Sequence, residues 1–175
     1  MTSAAWTGSG RSVNPMTSDT DIHRLIHLLR ERGLRLSFAE SCTGGLASAM
    51  VTSIPGSSEY FLGSAVTYSN ESKVSILGVS EGTLEAHGAV SEECAREMAL
   101  GSLRTYGSDI AVAVTGIAGP GGATYDKPVG LVFIAATDGR NHVTSANRFF
   151  GERHEVRKAS VDAMFRDAIR LLEEN

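Results

Sequence analysis

This sequence predicts a layered α/β domain, and three observations carry that prediction. Segments with apolar residues at helical spacing alternate with short runs of strand-forming residues. One of those runs, "DIAVAVTG", is nearly continuous in apolar side chains, as a strand buried on both faces should be. The chain has 175 residues, enough for one domain with a sizeable core, and shows neither an internal repeat nor a second domain.

The elements follow in order. "SDTDIHRLIHLLRERG" is an amphipathic helix: Ile22, Leu25, Ile26 and Leu29 recur at helical spacing, Asp19 or Thr20 can cap it, and Gly33 ends it. "LRLSFAE" alternates as a strand. A glycine turn leads into the helix "GGLASAMVTSI", closed by Pro55-Gly56, and "YFLGSAVTY" is a second strand. "SNESKVSILG" and "SEGTLEAHG" are short helices, with Asn70 expected to cap the first. "SEECAREMALGSLRTYG" is a longer helix opened by Ser91, although Cys94 stands where a capping box wants Glu or Gln. After "DIAVAVTG", the runs "VGLVFIAATDG" and "HVTSANRFFG" form a hairpin around Asp138-Gly139-Arg140-Asn141. "ERHEVRKASVDAMFRDAIRLLEEN" is the closing helix. Residues 1–18 are small, polar and glycine-bearing, without a signal peptide's apolar core, and are expected to be a mobile tail before a domain over 19–175.

Composition excludes several functions. The formal net charge is -4 with no long basic run, which disfavours nucleic acid as a partner. No apolar run approaches the roughly 20 residues that span a bilayer, so no membrane partner is expected. Cys42 and Cys94 form no spaced framework, which fits a reducing, cytoplasmic setting and gives no zinc signature. His23 and His27 stand four apart on the first helix, but no third ligand accompanies them, and no metal is expected.

The chemistry concentrates in a few stretches. In "FAESCTGGLASAM", Ser41 sits where a strand stops and a helix starts, with Gly44 and Gly45 clearing access to the first helical amides. A hydroxyl there could attack a carbonyl while the amides near Thr43, Gly44 and Gly45 hold the developing charge. Ser and Thr are equally good N-caps, and this stretch alone favours the cap. Cys42 would be activated at a helix N-terminus, but no histidine carries a local signature beside it, so packing is its expected role. In "VTYSNESKVSILG", Lys73 falls in the first turn of a helix, where the dipole and partial burial would lower its pKa. A neutral lysine can take a serine proton, and Tyr68 at the same strand end could relay it or orient the amine; alone, a solvated lysine is the simpler reading. "AVTGIAGPGGATYDKPVG" is neither a Walker A loop nor a dinucleotide fingerprint, but it shapes a backbone-lined wall with Thr115 and Gly116 at its start. In "FFGERHEVRK", Arg153 near a helix start suits a phosphate, while Arg157 and Lys158 are expected to be solvated.

"AESCTGG", "VTYSNESK", "GAVSEECA", "TGIAGPGG", "KPVG" and "GERHEVR" occur in that order. Together they resemble the CinA C-terminal domain family, whose active members are nicotinamide-nucleotide amidases, over about Asp21 to Glu173. The resemblance implies a single three-layer α/β/α domain around a mixed sheet. It implies hydrolysis of the amide of nicotinamide mononucleotide to nicotinate mononucleotide and ammonia, with a small-molecule nucleotide substrate and no cofactor. Ser41 matches the family's serine, Tyr68 and Lys73 its tyrosine and lysine, Thr115 the threonine before the glycine loop, and Arg153 its late arginine. Glu40 matches the glutamate of "AES", with its role open. Thr43, Gly44, Gly45 and Gly116 fall on the substrate side. Two departures, Thr124-Tyr125 in the loop and His154 after Arg153, touch the loop and the phosphate side. A homo-oligomer is expected. The competing reading is a nucleotide-binding relative without catalysis.

Overall fold

The computed structural model describes residues 18–174. The tail expected over residues 1–18 lies outside them except for Ser18, which opens the first helix. The elements are α1 (Ser18–Arg32), β1 (Leu36–Glu40), α2 (Leu46–Thr52), β2 (Phe61–Val66), α3 (Asn70–Leu77), α4 (Glu81–His87), α5 (Glu92–Tyr106), β3 (Ile110–Gly116), β4 (Leu131–Thr137), β5 (His142–Arg148) and α6 (Arg153–Glu173). The sheet order is β2-β1-β3-β4-β5. β2, β1 and β3 run parallel, while β4 is antiparallel to both β3 and β5, so the sheet is mixed, as the resemblance implied. α1, α2 and α6 cover one face and α3, α4 and α5 the other, which completes three layers. No helix among the described residues is long and apolar enough to cross a membrane.

The two faces differ in side-chain size. Phe38, Val112, Val114 and Ile134 project toward α1 and α6. On the other face Ala65, Ala39, Ala113 and Ala135 stand side by side across four strands. That alanine row removes bulk from the sheet, so α5 can settle onto it through Cys94, Ala95, Met98 and Ala99.

Three local expectations change. Asp19 and Thr20 lie inside α1 instead of capping it, since the helix begins at Ser18. β1 does not alternate: all five residues are buried, because it is central in the sheet and covered on both faces. Its buried Ser37 hydroxyl is satisfied by those of Ser102 and Ser108, at 2.9 and 2.7 Å. The cap of α3 is Ser69, whose hydroxyl accepts from the Ser72 amide, so Asn70 is the first helical residue and Lys73 the fourth.

The α3–α5 contact generates a stability test. A Cβ on Gly101 would stand 2.1 Å from the carbonyl oxygen of Leu77, the last residue of α3. Helix propensity alone favours Gly→Ala by about 1 kcal/mol, whereas overpacking costs about 1–3 kcal/mol. Gly101→Ala is therefore expected to lower the melting temperature by several degrees, at about 2–4 °C per kcal/mol for this size. A raised melting temperature in thermal unfolding would contradict the close approach.

Candidate active site

The C-terminal ends of the three parallel strands deliver the chemistry to one edge of the sheet, where open α/β sheets place their ligand crevices. β1 ends at Glu40 and Ser41 follows. The Ser41 amide still donates to Val114 O of β3 at 3.1 Å, and the Thr67 amide donates to Glu40 O at 3.0 Å. The chain then turns, with the Gly44 amide donating to Ser41 O at 3.1 Å. Gly44 and Gly45 have φ of 59° and 94°, a left-handed pair that side chains disfavour.

Lys73 crosses to meet this turn. It is 1% exposed, and its ammonium donates to Ser41 Oγ at 3.1 Å and to Thr67 O at 2.7 Å. Burial lowers its pKa from the ordinary lysine value, and the nearby thiols of Cys94 and Cys42 oppose that only in part. Ser41 and Lys73 are thus in direct hydrogen-bond contact, with the amine shifted toward its neutral form. Of the two causes the sequence offered, the helix dipole and burial, burial is the one that dominates here.

A cleft of about 250 Å³ opens at this point. Ser41, Cys42, Tyr68, Lys73 and Arg153 line it, together with the backbone wall at Ala89–Val90, Thr115–Gly119 and Gly121–Gly122. Thr115 is buried and donates to Ala89 O at 2.7 Å, tying the strand end to the loop before α5. Arg153, the first residue of α6, donates to Gly119 O at 2.7 Å and to the Tyr68 hydroxyl at 2.9 Å. Tyr68 is therefore bonded to the arginine and not to Lys73, at the exposed lip of the cleft.

Thr43, Gly44 and Gly45, whose amides were expected to hold an oxyanion, are not among the residues lining the cleft; the Gly44 amide donates to Ser41 O and the Gly45 amide to Glu40. Glu40, fully buried, accepts from Gly45 N, Ala47 N and Thr43 Oγ1 through Oε2, and from Ser48 N and Ser48 Oγ through Oε1. A carboxylate already fills the position in which a substrate anion would sit. Arg157 is half-buried, not solvated: its Nε and a terminal nitrogen donate to Thr43 O at 3.2 and 2.7 Å. Its spacing of four from Arg153 was the available signal, since such residues share a helix face. Lys158 pairs with Asp162 at 3.1 Å and stays largely exposed. No group of three or more His, Cys, Asp or Glu among the described residues could hold a metal.

Residues 19–173 match the CinA C-terminal domain. The chain is 49% identical over 136 residues to a CinA-like protein of Thermotoga maritima, and 52% identical over 141 residues to one of Geobacter metallireducens. These alignments cover 78% and 81% of this chain but 33% of each relative, so the chain spans about a third of their length. Among solved structures, a competence-damaged protein (CinA) superfamily protein of Klebsiella pneumoniae superimposes with a TM-score of 0.87 at 34% identity, covering 90% of this chain and 99% of its own. A competence/damage inducible protein of Agrobacterium tumefaciens does so with a TM-score of 0.86 at 41% identity, covering 92% and 99%.

The thiols give the site a chemical test. Burial pushes Cys42 up to about 12, and Cys94, also buried, to about 11. The thiolate is the reactive species, so the folded protein at pH 8 is expected to resist iodoacetamide at both positions and to label only after unfolding. Rapid alkylation of Cys42 in the native protein, read by mass spectrometry, would return it to the list of nucleophiles.

Proposed function

The chain belongs to the CinA C-terminal domain family, and from that premise we propose that it is an amidohydrolase acting on nicotinamide mononucleotide. The products are nicotinate mononucleotide and ammonia. The observation that carries this reading is the buried Lys73 Nζ 3.1 Å from Ser41 Oγ, with a lowered pKa. A lysine so placed has the properties of a general base for a serine nucleophile.

The reaction then runs in two halves. Neutral Lys73 takes the Ser41 hydroxyl proton as Oγ bonds to the carboxamide carbon. The resulting ammonium returns that proton to the departing nitrogen, the C–N bond breaks, and ammonia leaves an acyl ester on Ser41. Water attacks the ester, giving its proton to Lys73, and the carboxylate product departs as Ser41 is reprotonated. Thr67 O holds the lysine nitrogen throughout and orients its lone pair toward Ser41. With the start of α2 occupied by Glu40, the loop residues Ala118, Gly119, Gly121 and Gly122, which line the cleft, are the candidates to supply an amide to the oxyanion. Arg153 takes the 5′-phosphate at the cleft mouth, and Tyr68 holds its guanidinium in place instead of relaying a proton.

The dyad predicts activity and its pH dependence together. Ser41→Ala is expected to abolish ammonia release. Lys73→Arg is expected to lose about 10²–10⁴-fold, the usual weight of a general base, since guanidinium stays protonated. For the wild type, the neutral fraction of Lys73 grows as pH climbs through its lowered pKa, so the rate should rise with pH and level off below the ordinary lysine range. Ammonia release by Lys73→Arg near the wild-type rate would show that the cation, not the base, is what the reaction uses.

The phosphate assignment has a separate test. Arg153→Lys loses the forked donors, and a hydrogen bond to a charged group contributes about 1.5–3 kcal/mol. KM for the nucleotide is expected to rise at least about tenfold, and the phosphate-free riboside should be a poor substrate for the wild type. Equal kcat/KM for nucleotide and riboside would remove Arg153 from phosphate binding.

A further inference from the structure

We infer that Glu40 is the positioning residue for the nucleophile. Its carboxylate holds the Ser41–Gly45 turn in the conformation that aims Ser41 Oγ at Lys73. This rests on Ser41 being the nucleophile, as proposed above.

The turn has little rigidity of its own. Two of its residues are glycines in the left-handed region, and glycine has the most conformational freedom to lose. α2 has seven residues, and its N-cap, Gly45, offers no side chain to secure its first amides. Glu40 supplies what both lack, reaching forward from the last position of β1. Oε2 accepts from Thr43 Oγ1 at 2.7 Å, Gly45 N at 3.0 Å and Ala47 N at 3.1 Å. Oε1 accepts from Ser48 N at 3.0 Å, Ser48 Oγ at 2.6 Å and, more distantly, Ser64 Oγ at 3.4 Å.

The main chain of the same residue is fixed from the other direction. Glu40 O accepts from Thr67 N of the segment that ends β2, and Ser41 N donates to Val114 O of β3. Ser41 therefore sits between a backbone registered to two strands and a turn gripped by its neighbour's side chain. Arg157 secures the Thr43 carbonyl of the same turn. Glu40 is not among the groups lining the cleft, so it acts on the reaction through Ser41 and not on substrate.

Every partner of the carboxylate is a donor, which makes Glu40→Gln a sharp variant. The amide keeps the volume but turns one of the two acceptor sites into an NH₂ that faces donors. The experiment follows Ser41 with a fluorophosphonate probe, alongside ammonia release from nicotinamide mononucleotide, each well below the melting temperature of the variant used. Wild type is expected to label at Ser41. If it neither labels nor releases ammonia, the nucleophile reading fails and this inference falls with it. If wild type labels, Glu40→Gln is expected to lower both the labelling rate and kcat by about 10–100-fold, the scale of a small misplacement. KM and the pH midpoint set by Lys73 should stay where they are. A folded Glu40→Gln protein that labels and turns over at wild-type rates would reduce Glu40 to a helix cap and overturn the inference. Should that variant fail to fold, Thr43→Val decides: it removes one donor to Oε2 and should slow labelling several-fold, whereas a wild-type rate again overturns the inference.

Discussion

The site depends on keeping one lysine dry. An ammonium loses hydration when it is buried, and the free-energy cost shows as a lowered pKa, which is the property a base for serine requires. Lys73 is the fourth residue of a short helix and could as easily have faced water. It is buried because α3 is pressed against α5 at Leu77 and Gly101, and α5 is in turn set close to the sheet by the alanine row. Packing one turn further along the same face of α3 thus sets the depth at which Lys73 sits. Two acceptors then receive the ammonium's protons, the Ser41 hydroxyl and the Thr67 carbonyl.

α6 does for the loops what α5 does for the lysine. Its first two turns present Arg153 and Arg157 on one face. Arg153 ties the glycine loop at Gly119 to Tyr68 beyond β2, and Arg157 ties the turn after β1. Three segments distant in sequence are joined through main-chain carbonyls and one hydroxyl, all acceptors that a guanidinium fork can reach together. Glu152 and Glu155 complete a capping box at the start of this helix, so the platform bearing the arginines is anchored where they emerge.

Much of this was legible in the sequence, and the limits were physical. Apolar patterning, continuous in β3 and periodic elsewhere, together with turn signals located the strands and helices, and the hairpin around Asp138–Asn141 followed from its turn residues. Lys73 stood out because a cation in the first turn of a helix looked misplaced, whereas Ser41 read first as an N-cap and was singled out by the family resemblance. Their 3.1 Å contact was not legible, since it depends on β1 and β2 being parallel neighbours. Burial on both faces of β1 was missed because "LRLSFAE" contains Ser37 and Glu40, and only the folded chain shows the donors that satisfy them. Arg157 was misjudged because charge suggests solvent, while a main-chain acceptor such as Thr43 O leaves no mark in the sequence. The cap of α3 shifted by one residue because Ser69 and Asn70 are both competent caps.

The way the helix start at α2 is satisfied decides where negative charge can go. A strand-to-helix turn with two glycines invites an anion, and here that demand is met internally by Glu40. A second anion beside it would face a buried carboxylate of the same sign. The cleft instead places its cations, Lys73 and Arg153, beside the backbone wall of the second glycine loop. Glu40 therefore does two things with one charge. It stiffens the turn that carries the hydroxyl, and it makes α2 a poor host for a substrate anion. An anionic substrate is left one favourable approach: reacting group toward Ser41 and Lys73, charged end toward Arg153.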